Sequence, residues 1–543
     1  MIELLSRLSI EDLYEAIGKG KISELRKLVG DDSEIERLDS CELSRHILAI
    51  YGFDLLYEQK IRHLLFTLID SDRLRTLVEK FGHTSHNKPY DNALTLSLYP
   101  WKAGSDLVIE IAKALPIPKE YLPLVTNYNQ TIEIIEPLDE LLPLLDFQKD
   151  LKEKICDALE SETKRFLIQM PTGSGKTRTI LESLLEYVRK RDLFESSKSI
   201  VWLAHTEELC EQAIDTFKDI WQHLATSPAQ VVRCFRNYNP SSFDVLGSFV
   251  VCSFQKLYNL MLRESDVFEY LKKAARIIVV DEAHKVIARS YTEVINGLRE
   301  AENDSTLIGL TATPGRGVKK QKENIELANY FNKILLAPYF KDNPIVELRD
   351  KKVLAKINRR VIESGINVTL NEATLREAKD TYDLPKSIVK KLSLNVKRNK
   401  LILEIIRDEL RAGNPCLVFS CSIDQSKILS AALAFQGYKS AYIDCDMRKG
   451  SRIRIIDDFR KGDSDVLFNY GVLSTGFDAP RIKTVIITRP TSSIVLYSQM
   501  VGRGLRGPRM GGTETCNLID IIDNYSNFGG VEEVYTYFED YWH

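Results

Sequence analysis

Hydrophobic positions along this chain follow two grammars, and the change falls near residue 140. Before it, "LSIEDLYEAIGKGKISELRKLV" and "YEQKIRHLLFTLIDSDRLRTLVEKFG" space apolar residues three and four apart, the period of an amphipathic helix. Pro116, Pro118 and Pro123 break that pattern. From about 141, short apolar runs alternate with helical stretches: "RFLIQM", "SIVWLA", "FVVCSF", "RIIVVD" and "TLIGLT". Their continuous hydrophobicity predicts strands of a parallel sheet covered on both faces. A charged stretch around 317–395 intervenes, and the grammar resumes with "CLVFSC", "SAYIDC", "DVLFNY" and "TVIITR". The expected architecture is therefore α/β: two tandem domains, 139–338 and 339–543, behind a mostly helical segment, 1–138. Within the second, 339–395 reads as a connecting segment.

At 543 residues the chain is too long for one core. It has no apolar run of membrane-spanning length, and its start lacks the basic and apolar regions of a signal peptide. The expectation is a soluble, cytoplasmic protein with no membrane partner. Nine scattered cysteines without a C-x-x-C pair, and eight histidines without neighbouring ligands, predict reduced thiols and no zinc site. Charge is divided unevenly. Residues 1–140 carry 24 acidic and 16 basic side chains, net −8, whereas the remainder is +5. A polyphosphate is better held by the latter part, and the acidic front suits a protein partner or a packing role against the first α/β domain.

The chemistry begins at "RFLIQMPTGSGKTRTI". A strand, a turn holding Gly173 and Gly175, and a helix would aim successive N–H groups at phosphate oxygens. Lys176 would reach the outer phosphates and Thr177 would take a Mg²⁺ position. The usual loop begins with glycine where this chain has Met170, but the cradle needs only a backbone able to leave the strand there. About a hundred residues later, "RIIVVDEAHKV" ends a strand in two carboxylates. Asp281 would hold the metal, and Glu282 would orient and deprotonate a water.

Together with "GLTATPGR" and "QMVGRGLR", these stretches resemble, in order and spacing, the motifs of superfamily 2 helicases and translocases. "WLAHTEELCEQ", "VVCSFQKL" and "VLSTGFDAP" extend the resemblance across 141–525, and "TRPTSSIVLYSQMVGRGLR" looks most like the DEAH-type branch that includes type I restriction motors and excision-repair helicases. The fold implied is a pair of RecA-like domains, and members of this branch commonly begin the loop with a residue other than glycine. The resemblance implies an ATP site from Pro171, Thr172, Gly173, Ser174, Gly175, Lys176 and Thr177, with Gln148 reading adenine and Gly476 and Asp478 sensing nucleotide and strand. Gln499, Arg503 and Arg506 would reach the γ-phosphate from the second domain. Thr311 and Thr313 would couple hydrolysis to movement, and His284 would contact the opposite domain. Thr206, Gln255, Ser422 and Thr475 would touch the nucleic-acid backbone.

The function implied is an ATP- and Mg²⁺-dependent helicase or translocase, on DNA rather than RNA, in repair or anti-phage defence. RNA helicases with "DEAH" usually carry further C-terminal modules, and 37 residues follow Arg506 here. Residues 1–140 show no nuclease constellation, so any cutting is expected from a partner. The alternative is an ATP-gated sensor that signals through the acidic helical segment without unwinding.

Overall fold

In a computed structural model of the chain, the described residues are 1–30, 38–123, 131–135, 143–161, 163–225, 227–299, 304–316, 320–366, 386–472, 481–491, 493–523 and 541. The strands in chain order are β1 (Ile132–Ile135), β2 (Arg165–Gln169), β3 (Ser199–Ala204), β4 (Ala229–Cys234), β5 (Ser248–Ser253), β6 (Ala275–Asp281), β7 (Thr306–Thr311) and β8 (Leu335–Leu336), then β9 (Lys356–Glu363), β10 (Cys416–Phe419), β11 (Ser440–Asp444), β12 (Val466–Tyr470), β13 (Thr484–Ile487) and β14 (Thr515–Ile522). The first sheet has the order β1-β4-β5-β3-β6-β7-β2-β8 and the second β11-β12-β10-β13-β14-β9. All nine apolar runs are strands, and only β1 runs antiparallel to its neighbour. Central strands β3, β7 and β10 are buried at every position, as helices on both faces demand. Because the pairing is parallel, the loops that follow the strands gather at one sheet edge, where ligands bind in such folds.

The strands that escaped the sequence pattern lie mostly at edges. β9, "KINRRVIE", is charged and largely exposed, yet it pairs with β14 over its whole length. β1 belongs to the first lobe although it precedes residue 139, so that lobe begins earlier than expected. Its Glu133 pairs with Arg233 of β4 at 2.6 Å and with Lys218, and Arg233 also meets Glu211 at 3.2 Å. This charged cluster fixes the edge strand.

The helical segment does not brace the first lobe. Asp39 and Glu42 form a reciprocal cap, with bonds of 2.8 and 3.3 Å, that starts the helix Ser40–Tyr51. Leu43, Ile47 and Ile50 of that helix share one core with Ile402 and Ile406 of helix Val396–Arg411 and with Leu429 and Leu433 of helix Ile423–Phe435. The rings of His46 and Phe435 lie 4.5 Å apart. First in sequence, this segment is therefore part of the second lobe in space, because its apolar stripe continues the outer helices of that lobe. Among the described residues, no helix is long and apolar enough to cross a membrane.

Ile47→Ala should cost about 2–5 kcal/mol, the usual range for emptying a buried aliphatic site. In denaturant titrations followed by amide exchange, the loss should fall on β10 and β12 of the second lobe and spare β3 and β6.

Candidate active site

β2 delivers the chain to the phosphate-type turn. The Met170 N–H donates to the Thr311 carbonyl at 3.2 Å, and its side chain is fully buried in the lobe's core. The methionine thus serves packing, and the turn is left to Gly173 and Gly175, at φ +85° and +86°. The Ser174 hydroxyl closes it by donating to the Pro171 carbonyl at 2.7 Å. Lys176 and Thr177 then open the helix Lys176–Arg191, whose first N–H groups lack helical partners and attract an anion.

Gln148 is tied to this turn rather than standing open to a base. Its amide donates to the Ser174 carbonyl at 3.0 Å and its oxygen accepts the Leu145 N–H at 2.9 Å, leaving the residue 3% exposed. A Cβ added at Gly175 would lie 2.5 Å from that amide nitrogen. The role seen is to hold the loop.

β6 lies between β3 and β7 and presents Asp281 and Glu282 at its end. Lys176 Nζ is 3.9 Å from Asp281 Oδ1. Burial pushes the Asp281 carboxyl up, against the pull of Lys176. Burial acts the same way on Glu282, but Lys176, the adjoining histidines and Lys285 outweigh it and hold Glu282 below its usual range. The lysines carry that effect at neutral pH, because burial depresses His284 to about 3 and His205 to about 4, leaving both neutral. Glu282 also sits at φ +52°, a strained conformation for a residue with a Cβ. The Asp281 carboxylate, which faces Lys176, and the hydroxyl of the next residue, Thr177, are hard oxygen donors of the kind Mg²⁺ prefers, and the turn at a helix N-terminus fits a phosphate chain.

Among the described residues, the contacts of His284 lie in its own lobe. Its Nδ1 lies 3.3 Å from Glu282 Oε2 and 3.4 Å from the Thr311 hydroxyl, both in its own lobe. Thr311 in turn donates to the Thr313 carbonyl at 2.9 Å, so the two motifs form one buried chain. The contact across the cleft is made by Glu282, which accepts from Gln499 Nε2 at 3.3 Å. Arg503 Nε donates to the Gln499 carbonyl at 3.3 Å. Arg506 lies against the turn, since a Cβ at Gly173 would meet its Cγ at 3.5 Å, and a Cβ at Gly502 would run into Thr172 at 2.6 Å. The structure thus brings Lys176, Asp281, Glu282, Gln499 and Arg506 to one cleft.

The expected strand contacts are less specific. The Thr206 and Ser422 hydroxyls cap the helices Glu207–Leu224 and Ile423–Phe435, accepting N–H groups at 3.3 and 3.1 Å, whereas Gln255 is exposed on the first turn of helix Phe254–Leu262. Thr475, Gly476 and Asp478 lie outside the described residues. Sequence reasoning missed His205, Lys285 and the ion pair Glu208–Arg452 at 3.0 Å, which joins the lobes. His205 accepts from Lys285 at 2.7 Å. Their positions beside Thr206 and in "DEAHK" were the available signal; for Glu208 and Arg452 there was none.

Residues 141–316 match the family described as Type III restriction enzyme, res subunit, and 397–507 match the Helicase conserved C-terminal domain. The chain is 28% identical to "Putative ATP-dependent helicase IRC3" of Saccharomyces cerevisiae, over 72% of this chain and 53% of that one. It is 24% identical to the Type I restriction enzyme EcoAI endonuclease subunit of Escherichia coli, over 66% of this chain and 44% of the relative. The chain spans about half the length of the curated relatives it matches first. A solved structure, the ATP-dependent Type ISP restriction-modification enzyme LlaBIII bound to DNA, aligns with 73% of this chain and 29% of its own at a TM-score of 0.47 and 16% identity.

The histidines set a pH dependence. Both titrate well below the free-histidine value of 6.5, so in mild acid the unfolded chain binds protons that the folded chain refuses. Stability therefore falls as pH drops below that value. Within the site, the raised Asp281 carboxyl acts in the opposite sense, one group against two, and burial raises Glu24, Asp54, Asp215 and Asp458 elsewhere in that same opposite sense. In nucleotide-free buffer the melting temperature should fall between pH 7 and pH 5.5, and His205→Gln or His284→Gln should each flatten the fall.

Proposed function

Because this chain belongs to the superfamily 2 helicases and translocases, near the motor subunits of restriction enzymes, we propose that it is a nucleic-acid-dependent ATPase that moves along or opens DNA. The observation carrying this reading is the hydrogen bond from Gln499 of one lobe to Glu282 of the other, at 3.3 Å. A carboxylate suited to accept a proton from water is held there by a side chain that arrives only when the lobes close.

When bound, Mg²⁺-ATP supplies a terminal phosphoryl group for transfer to water. Lys176 and the N–H groups following Gly173 bind the phosphates, and Thr177 and Asp281 hold the metal. Glu282 takes the proton at its carboxylate, ionised at neutral pH because Lys176 and Lys285 stabilise its charge. Gln148 positions the loop. Arg503 and Arg506 stabilise developing negative charge from the second lobe, an effect worth about a thousandfold or more in rate. Thr311, Thr313 and His284 connect Glu282 to the rest of its sheet, so that turnover and lobe movement depend on each other. Thr206, Gln255 and Ser422 form the strand path, with helix N-termini offering N–H groups to phosphates. The likeness to restriction motors favours DNA and a role in repair or phage defence, with any cutting left to a partner.

One observation favours a second reading, an ATP-gated sensor. The helical segment shares a core with the second lobe, which would carry cleft movement to an acidic surface.

Lys176→Ala should abolish hydrolysis while the chain still folds, with a shifted melting temperature because Asp281 and Glu282 lose their charge partner. Arg506→Ala should keep nucleotide binding nearly intact while turnover falls about a thousandfold; equal losses in both would contradict its role. Turnover should rise more with single-stranded, duplex or branched DNA than with RNA, and the reverse order would overturn the DNA assignment. Stimulated turnover without strand displacement or movement would decide for the sensor.

A further inference from the structure

A hollow of about 1170 Å³ lies where the helical segment, the second lobe and the loop after β4 meet. None of the nucleotide-site residues line it. Its helical wall holds Phe53, Tyr57, Trp101 and Lys102, and the opposite wall Lys439, Arg448, Ser451 and Arg454. The Arg454 guanidinium lies 3.8 Å over the Phe53 ring and that of Arg448 lies 4.0 Å over Tyr57. Lys102 and Lys439 line the hollow, as does Arg448, whose charge also acts on the Asp54 carboxylate. Trp101 is 1% exposed, and its indole N–H has no acceptor among the described residues, a donor awaiting an oxygen. On the acidic side, Asp54 accepts from Ser451 at 2.5 Å and burial pushes its carboxyl up, while Asp458 faces Arg454 at 3.8 Å. Glu120 gives its backbone carbonyl to Arg454, and Asp463 completes the acidic groups of the wall.

The position of the hollow identifies its occupant. Arg236, on its first-lobe wall, pairs with Glu207 at 2.7 Å. Arg452, beside wall residue Ser451, pairs with Glu208 at 3.0 Å. Glu207 and Glu208 are the first turn of the helix capped by Thr206. The hollow therefore adjoins the start of the helix capped by Thr206, a residue proposed above for the strand path, and its volume exceeds the about 300–1,000 Å³ of a small-molecule pocket.

We propose that this hollow takes the unpaired nucleic-acid strand beyond the two lobes, stacking bases on Phe53, Tyr57 and the guanidinium planes and holding phosphates with Lys102, Lys439 and Arg448. The proposal rests on the reading of the chain as a nucleic-acid motor. Phe53 is 42% exposed, with Arg454 3.8 Å over its ring and the Tyr121 ring tilted against it at 5.6 Å. Trp101 gives its N–H to an oxygen of the strand.

The test is the affinity of the full chain for single-stranded DNA oligonucleotides of increasing length, measured by fluorescence anisotropy beside ATP turnover. In the wild type, affinity should keep rising past the length at which stimulation of turnover saturates. Lys102→Glu and Phe53→Ala, both at exposed positions, should remove that rise, weakening long oligonucleotides about fivefold or more. Short-oligonucleotide affinity and saturated turnover should stay unchanged. An affinity that stops growing with stimulation, or variants that bind long strands like the wild type, would overturn the proposal; the latter is the result if the hollow serves a protein segment. Equal losses for short and long strands would also overturn it, since that effect belongs to the lobes. No strand binding by the wild type would instead overturn the motor reading, and this proposal with it.

Discussion

Two carboxylates at the end of β6 are the constraint on which the cleft depends. Buried charge needs a partner, and here each side of the cleft supplies one: Lys176 at 3.9 Å from Asp281 on the same lobe, and Gln499 at 3.3 Å from Glu282 across it. The strained backbone at Glu282, the neutral His284 and the Thr311 hydroxyl all serve to hold that carboxylate where a group from the second lobe can reach it. In the proposed reaction closure and chemistry are one event, since Gln499 reaches Glu282 from the other sheet.

The same logic explains the contrast between chain order and spatial order. The helical segment precedes the first lobe in sequence but lies on the second, joined to the first through β1 and its Glu133–Arg233 pair. A movement of the second lobe would therefore carry the helical segment along. Helix Lys449–Lys461 is the junction: Ser451 and Arg454 hold the helical segment, and Arg452 holds Glu208 of the first lobe. Whatever binds beside that helix has access to both partners at once.

Much of this was legible in the sequence because it rests on local rules. Unbroken apolar runs gave the buried parallel strands, and the turn with its lysine, the DEAH stretch and "GRGLR" named the residues that meet in the cleft. Met170 was read as compatible with the turn, and the structure adds where its side chain goes. What escaped depends on neighbours that no local pattern reveals. β9 is a charged edge strand that exists because β14 offers it hydrogen bonds. Gln148 faces the loop and His284 its own lobe because both are deeply buried there, which a motif position alone cannot express. The docking of the helical segment needed the three-dimensional match of two apolar stripes far apart in sequence.

The central claim is that one chain supplies both halves of one cleft. It is tested most directly by mixing a Lys176→Ala chain with an Arg506→Ala chain and measuring strand-stimulated ATP turnover against each alone. The account predicts no recovery at any ratio, because every cleft in the mixture lacks one of the two groups. Restored turnover would show that the arginine serves a neighbouring copy and would contradict it.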